Sequence, residues 1–483
     1  MHLREGFKAG AGVDLGGARI GGHLACTGGA FEATEGRALN CNGARIGASV
    51  FLIKEFRARA EVNFGGAEIG GQLACDGGAF EAKKGQALNC DAVRLGSNVS
   101  LSNGFRAKAG VNFRGAEIGG QLASVGGTFE ATEGLALTCN AARIGADVFL
   151  KGGFRATAEV DFARADVVGA LVVTGAEIGD GIGLEAARIG HGFFWKNVTG
   201  ARRKIDLTEA RVGSLRDDRA SWEGVDTLIL HGFRYDRIDG SMSVTERIAW
   251  LGRAQEGLAK RQETQVGPAF DPQPHVQLAT ILRAQGDRTG AALVLVDREK
   301  RQRRAMREWR WKQNDSPREI LRWAMTLVGR PVDFLFWLLA GYGHRPARAL
   351  GVSIVLVLLA SGLAHFTYEA GQFAPNSDIV LTSADWLGAV AAHEAGDARM
   401  PVQIWQEGSA TAQDYETFQP LLYGLDLFIP LDALGQEEAW RPSTERGVLG
   451  KAAFYSRWFF QGAGWIITAL AAAVLTGLVG RRD

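Results

Sequence analysis

The five cysteines are the side chains whose chemistry depends most on spacing, because thiols bind metals or form disulfides in pairs or clusters. They are Cys26, Cys41, Cys75, Cys90 and Cys139, and no two form a Cys-x-x-Cys pair. An odd number without paired spacing is typical of neither a disulfide framework nor a zinc site. Cys26 to Cys75, Cys41 to Cys90 and Cys90 to Cys139 are each separated by 49 residues. We interpret the five as reduced thiols at equivalent interior positions of a repeat.

Catalytic motifs are missing from the sequence. It contains no His-Glu-x-x-His, no Gly-x-x-x-x-Gly-Lys-Ser/Thr and no Gly-x-Ser-x-Gly. The eight histidines are scattered, and His365 and His393 do not have the spacing of metal ligands. The sequence therefore predicts no catalytic residue, no cofactor and no metal site. Enzymatic activity is left uncertain and is the less favoured interpretation.

A basic stretch between Arg298 and Lys312 is the clearest candidate binding site. Its tryptophans, Trp309 and Trp311, and its position before an apolar segment favour a juxtamembrane anchor on anionic inner-leaflet lipid. A solvated helix face and a nucleic-acid site are the alternatives. The chain has 54 basic and 53 acidic residues, a balance that argues against a dedicated nucleic-acid binder. The predicted lipid-binding residues are Lys300, Arg301, Arg303, Arg304, Arg307, Arg310 and Lys312.

The elements that would carry these residues begin with a repeat. An Ile/Leu-Gly signature recurs in alternating steps of 26 and 23 residues, the length of one coil of a β-solenoid. Short period-2 apolar clusters separated by glycine predict strands joined at tight corners over residues 10–238. The signature residues are Ile20, Ile46, Ile69, Leu95, Ile118 and Ile144.

The segment VNFRGAEIGGQLASV, with its A-x-L/F-x-x rhythm, resembles the pentapeptide-repeat-like β-helices. That resemblance covers roughly residues 10–235 and implies a mainly β fold, a right-handed parallel β-helix. The strict five-residue register is interrupted about once per coil, so the sequence leaves a square cross-section open. Trp222 and the strand LILHGF would close the C-terminal end, because an uncovered solenoid end exposes strand edges.

Helical periodicity replaces the glycine pattern over residues 241–314. Ser243 and Glu246 form a plausible capping box at the start of this α-helical connector. Residues 271–304 resemble a single tetratricopeptide-like hairpin that turns at Gly286-Asp287. We expect one hairpin to dock on the β-helix or on a partner, with a facing stripe of Leu278, Leu282, Ala291, Leu295 and Val296.

Two apolar segments, 350–368 and 458–480, meet the length of a transmembrane helix. Segment 319–342 carries Arg330 and Asp333 and is predicted to lie in the membrane interface. Basic residues flank both spans, whereas 369–456 is predicted to be an acidic external loop. The expected location is the bacterial inner membrane, multi-pass, with cytosolic termini and no secretory signal. Predicted helix-packing residues are Ala469, Ala473 and Gly477, within the hairpin or between chains.

These features favour a membrane-anchored scaffold whose cytosolic β-helix binds a protein partner, and they leave a homo-oligomer open. A second hypothesis is a channel-like pore, because 418–440 is a broken apolar segment between two spans and GYGHRPARAL resembles the lead-in to channel-like tails of pentapeptide-repeat proteins. Its filter would be degenerate, since Gly341-Tyr342-Gly343 precedes the first span.

A third hypothesis comes from resemblance alone. The phrases LHGFRYDRI, AWL, QPHVQLATILRAQGD, LDLFIPLDALGQEEAW and GWIITALAAAVLTGL resemble a group of bacterial proteins often labelled membrane-associated oxidoreductases. That resemblance spans most of the chain and implies redox chemistry. The sequence offers no flavin, nicotinamide, haem or iron–sulfur ligand set to carry it.

Overall fold

The chain forms two compact units in a computed structural model, residues 1–314 and 315–483. The residues described are 1–4, 6–200, 203–261, 269–312, 330, 334–339, 341–343, 347–429 and 434–475. The first unit is a parallel β-solenoid of about ten turns followed by helices, as the repeat predicted. Its strands run from Lys8 to Ile238 and pair with the equivalent strand of the next coil.

Three parallel sheets contain these strands, and the largest holds two ladders side by side, so each regular coil contributes four strands. The eight-stranded sheet consists of Lys8–Ala9, Ala30–Phe31, Arg57–Ala58, Ala79–Phe80, Arg106–Ala107, Thr128–Phe129, Arg155–Ala156 and Glu177–Ile178. The ten-stranded sheet consists of Val13–Asp14, Arg37–Asn40, Glu61–Asn63, Gln86–Asn89, Gly110–Asn112, Leu137–Thr138, Val160–Asp161, Gly181–Gly183, Arg203–Asp206 and Val225–Ile229. The seventeen-stranded sheet consists of Arg19–Ile20, Leu24–Ala25, Arg45–Ile46, Val50–Phe51, Glu68–Ile69, Leu73–Ala74, Arg94–Leu95, Val99–Ser100, Glu117–Ile118, Leu122–Val125, Arg143–Ile144, Val148–Lys151, Asp166–Val167, Ala170–Thr174, Arg188–Lys196, Arg211–Asp217 and Arg234–Ile238.

The solenoid interior is filled by columns of apolar residues, because each coil buries its apolar face only against its neighbours. One column consists of phenylalanines whose ring centroids are 5.2–5.3 Å apart from Phe31 to Phe154. Such tilted pairs contribute about 0.5–1.5 kcal/mol each beyond the area they bury. Asn89 is in register with Asn63 and Asn112 of the neighbouring coils, and each of those two residues is followed by a phenylalanine. Cys90, which follows Asn89, therefore lies between two phenyl rings rather than between two thiols.

Polar side chains hold the corner that follows the ten-stranded sheet. Asn63 accepts a hydrogen bond from the backbone N–H of Gly65 at 2.7 Å, and Asn112 accepts one from Arg114 at 2.9 Å. The amide of Asn112 also donates to Asn89 in the coil below, at 3.1 Å. The same bonding recurs along the stack, so these side chains satisfy the corner backbone while linking neighbouring coils.

The helices after the solenoid close its C-terminal end. They are α2 (Val244–Arg261), α3 (Gln273–Ala284) and α4 (Arg288–Lys312), and a short helix, α1 (Arg219–Trp222), precedes the last two strands. The predicted capping box is present, since the N–H of Ser243 donates to the Glu246 carboxylate at 2.7 Å. The stripe predicted between α3 and α4 is also present, with Leu278, Ala291, Leu295 and Val296 buried.

The second unit is described from its helices, α5 (Ala347–Glu369), α6 (Asp378–Leu381), α7 (Ala384–Glu394), α8 (Pro401–Gly408), α9 (Ala410–Gln413), α10 (Pro420–Phe428), α11 (Gln436–Ala439) and α12 (Val448–Leu475). A short antiparallel pair, Phe373–Pro375 with Trp440–Pro442, ties the two ends of the acidic loop together. Within the loop, Trp386, Trp405 and Phe418 are buried in an aromatic core. The loop is therefore a folded cap between α5 and α12.

Among the described residues one helix, α5, has the length and composition to cross a membrane, whereas the sequence predicted two spans. Helix α12 contains most of the second predicted span, and residues 476–480 lie outside the described residues. In the predicted interfacial segment 319–342, residues 330 and 334–339 are helical, Gly341 and Tyr342 belong to a short 3-10 turn that ends at Gly343, and the other residues lie outside the described part.

Candidate functional site

The outer face of the solenoid carries a ladder of alternating charge on the seventeen-stranded sheet. Arg45 lies 3.3 Å from Glu68, and Arg94 bridges Glu68 at 3.7 Å and Glu117 at 3.5 Å. Arg143 completes the run at 3.9 Å from Glu117. These five residues, which we call the paired ladder, border an open groove along the stack. Each exposed pair contributes little stability, about 0–1 kcal/mol, so this face is available for contacts.

The alternation continues through Asp166 to Arg188 and stops there. Arg188, Arg211 and Arg234 occupy the same ladder position in three consecutive coils, each directly in register with the next. All three side chains are exposed. Among the described residues they make no ion pair. We call this set the arginine ladder.

The helices that close the C-terminal end of the solenoid make polar contacts that the sequence did not reveal. Three glutamines of α3 and its end donate to carbonyl oxygens of the last coil: Gln273 to Phe233 at 3.0 Å, Gln277 to Tyr235 at 2.6 Å and Gln285 to Ile238 at 2.9 Å. The spacing of four residues between the first two places them on one helix face. They satisfy strand-edge groups that would otherwise be open for pairing with another chain.

A buried ion pair joins helix α2 to the solenoid. Arg247 of α2 forms two hydrogen bonds with the carboxylate of Asp217, and both side chains are almost fully buried. The Trp222 indole donates to the same carboxylate at 2.7 Å. Trp222 also continues a ring column from Trp195 to Trp250. Closure by Trp222 agrees with the sequence prediction, whereas the Asp217 partner depended on the tertiary fold.

The basic stretch in α4 is partly neutralised within its own helix. Arg301 donates to Asp297 at 2.6 Å, Arg303 lies 3.8 Å from Glu299, and Arg304 donates to Glu308 at 2.8 Å. Asp297 is also bonded to buried His275 at 3.2 Å, so Arg301 stabilises the helical hairpin. Although burial alone would raise the pKa of Asp297, the bonds from His275 and Arg301 lower it overall.

The remaining predicted lipid-binding residues are Lys300, Arg307, Arg310 and Lys312. Lys300 and Arg307 belong to α4, each with further interactions in the chain, and Arg307 is exposed. The side chains of Arg310 and Lys312 lie outside the described residues. Lipid binding by this stretch stays a prediction.

Helix α5 presents large apolar side chains to its surroundings. One side buries small residues, Ala360, Ser361 and Ala364, against the rest of the second unit. Exposed apolar side chains on α12, including Trp458 and Phe459, add to this surface. Large exposed apolar side chains on two helices are typical of contact with a membrane or another protein. The exposed side chains of α5 are Leu350, Ile354, Val355, Leu358, Leu359 and Phe366.

Helix α10 packs between α5 and α12, where two glycines allow close approach. A Cβ at Gly424 would lie 2.7 Å from the backbone nitrogen of Ser361, and one at Gly464 would lie 1.8 Å from the carbonyl oxygen of Phe428. The sequence reasoning did not identify either glycine. The small-residue pattern Gly462-x-Gly464 was the available signal.

The predicted helix-packing face is different from this one. Ala469 is exposed on α12 and Ala473 is partly exposed, whereas Gly477 lies outside the described residues. The packing of α12 within the chain uses Gly464 and buried Ile467 instead. Packing between chains through the predicted face therefore stays a prediction.

The thiols are free and buried, which agrees with the interior positions inferred from their spacing. Burial raises the pKa of Cys26 to about 12 and raises those of the other four as well. Among the described residues, no three His, Cys, Asp or Glu side chains are arranged to hold a metal ion. Because the thiolate is the reactive form, these thiols are poor nucleophiles in the folded chain.

Comparisons with known proteins found no match to a protein-family model, to a curated protein or to a solved structure.

Proposed function

We propose that this protein is a membrane-anchored scaffold that presents its β-solenoid to protein partners. The observation that carries the anchoring is the exposed apolar side of α5, a helix of 23 residues. Moving that apolar surface out of water and into lipid is favourable by about 25 cal/mol per Å² of apolar area. The solenoid interior is filled by its own side chains, so its outer face is the surface available to partners.

The proposal extends to topology and place. It has α5 and α12 as two spans of the bacterial inner membrane, with the solenoid and C-terminus cytosolic and the acidic cap outside. Its solenoid is a right-handed, pentapeptide-like β-helix, and α4 lies against anionic inner-leaflet lipid. The charge pattern supports this orientation, because between Glu369 and Trp440 the loop contains one basic residue, Arg399.

Membrane extraction tests the anchoring directly. The full chain should stay in the membrane pellet after alkaline carbonate. The double variant Ile354→Lys/Leu358→Lys should be released, because a central lysine costs about 2.5–3.5 kcal/mol in a spanning helix. A matched control, Lys84→Gln on the exposed solenoid surface, should leave the pellet fraction unchanged. Release of the wild-type chain by carbonate would remove the anchored model.

Topology is testable with single added cysteines, because the natural thiols are buried. Glu394→Cys lies on the exposed surface of the cap and Lys84→Cys on that of the solenoid. An impermeant maleimide added to spheroplasts should label the first and spare the second. The reverse pattern would overturn the orientation.

A channel-like pore is the second candidate, and the position of α10 supports it. A nine-residue helix packed against two longer helices has the order of span, pore helix and span. Buried Asp426 accepts hydrogen bonds from the backbone N–H groups of Leu434 and Glu437, which holds the chain that follows the helix. A tetramer in detergent and ion flux in liposomes would favour the pore. A monomer or dimer would remove it, because two spans per chain cannot enclose a pore alone.

Oxidoreductase activity rests on the sequence resemblance alone. The visible absorption spectrum of the purified protein tests it, since a flavin or haem would absorb there.

A further inference from the structure

The solenoid surface changes character at its C-terminal end. In the paired ladder each arginine has a carboxylate in the neighbouring coil, at 3.3–3.9 Å. In the arginine ladder, Arg188, Arg211 and Arg234 follow one another in register, and although Arg188 also lies in register with Asp166 of the preceding coil, no ion pair joins these two among the described residues. Glu209 and Asp236, each two residues from Arg211 and Arg234 respectively, are exposed and make no ion pair with the ladder among the described residues.

This arrangement costs stability in the free protein. Like charges directly opposite each other in a sheet are destabilising, and parallel strands place them about 4.8 Å apart. Alternation in the preceding coils shows that the same fold accepts a carboxylate at this ladder position, as at Glu117 and Asp166. Three stacked guanidinium groups therefore form a surface prepared for an external anion.

We propose that the arginine ladder is the docking site for an acidic helical segment of a partner protein. The three arginines span two coil steps, about 9.6 Å along the solenoid. Carboxylates at positions i, i+3 and i+6 or i+7 of a helix span about 9–10.5 Å, at 1.5 Å per residue. Such a helix lying along the stack meets all three guanidinium groups, each of which can donate two parallel hydrogen bonds to a carboxylate.

The inference rests on the proposed scaffold function and names its partner chemistry. The probe is a synthetic helical peptide of about 20 residues with glutamates at that spacing on one face. A second peptide of the same composition has its glutamates spread around the helix. Binding to the full chain in detergent is followed by fluorescence anisotropy at low and high salt.

The one-faced peptide should bind, and more weakly at high salt. The triple variant Arg188→Gln/Arg211→Gln/Arg234→Gln should weaken it at least about tenfold, because three exposed ion pairs are lost. The matched control Arg45→Gln/Arg94→Gln/Arg143→Gln removes the same charge from the paired ladder and should bind as the wild type does. The first variant should also melt no lower than wild type, because it relieves repulsion, which separates lost binding from misfolding.

Several results would overturn the inference. They are no binding of the one-faced peptide, equal binding of both peptides, or equal losses in both triple variants. Tighter binding to anionic vesicles or to a single-stranded oligonucleotide, lost in the same variant, would assign the ladder to lipid or nucleic acid instead. Carbonate extraction of the same variants is independent of these outcomes, so failure of the docking site is distinct from failure of the anchored scaffold.

Discussion

Gly96→Ala should destabilise the solenoid, whereas Gly21→Ala should not, although both glycines follow Arg-Ile/Leu at the same place in a coil. A Cβ on Gly96 would lie 2.3 Å from the carbonyl oxygen of Gly70 in the coil below. No atom lies within 4 Å of the corresponding Cβ on Gly21, which belongs to the first coil. The two substitutions are matched in residue type and in position within the coil, so a difference between their effects comes from stacking on the coil below.

The cost of the first substitution can be worked out from that contact. To relieve the contact of the new Cβ, the two coils must separate locally by about 1 Å. Overpacking of this kind costs about 1–3 kcal/mol. The movement weakens the hydrogen bond from the Gly96 N–H to Ile69, now 2.9 Å, which adds about 1 kcal/mol. We expect a loss of about 3 kcal/mol in total. Gly21→Ala should be neutral or stabilising by about 0.4–1 kcal/mol, because alanine has less freedom in the unfolded chain.

Hydrogen exchange read by mass spectrometry on the full chain in detergent measures this locally. At 1.36 kcal/mol per tenfold change, the peptides around Gly96 should exchange about 10²-fold faster in Gly96→Ala. Exchange around Gly21 should be unchanged or slower in Gly21→Ala. Equal protection in wild type and Gly96→Ala would refute the close approach of the coils, and equal losses at both sites would refute the role of stacking.

Three further predictions concern the thiols and the helices that close the solenoid. In the folded protein at pH 8, iodoacetamide should leave Cys26 and the other cysteines unmodified, and all five should react in urea; fast alkylation of the native chain would contradict their burial. Because the folded pKa of Asp297 is lowered, its contribution to stability is present above about pH 4 and is lost as the pH falls. Asp297→Asn should therefore show a smaller acid-induced fall in melting temperature than wild type, and an equal fall would assign the effect elsewhere. Arg247→Ala leaves the Asp217 carboxylate buried without its cation and should cost about 3–5 kcal/mol in urea unfolding, whereas a loss below about 1 kcal/mol would contradict the ion pair.

The repeat made most of the solenoid predictable from the sequence. A coil of 24 or 25 residues, half of the 49-residue repeat, places phenylalanines in register, as with Phe56 above Phe31 and Phe80 above Phe56. The capping box at Ser243 was read correctly because its two residues are close in the chain, and the closing role of Trp222 because it lies where the repeat ends, although its ring partners Trp195 and Trp250 are remote in the chain. The lipid anchor at Lys300 to Lys312 stays a prediction, and the sequence did not reveal that Arg301 is held by Asp297 in the hairpin.

The sequence by itself determined which residues face inward, because a coil length of 23 or 26 residues repeats the same inward positions and identical coils stack like on like. Only the tertiary structure decided what those coils touch at their ends and edges. Gly21 and Gly96 occupy equivalent positions in the repeat and have different neighbours, and Gln277 donates to a strand 42 residues away. Gly464 meets the backbone of Phe428 for the same reason. Such contacts depend on distances between residues that are remote in the chain, and local periodicity carries no information about them.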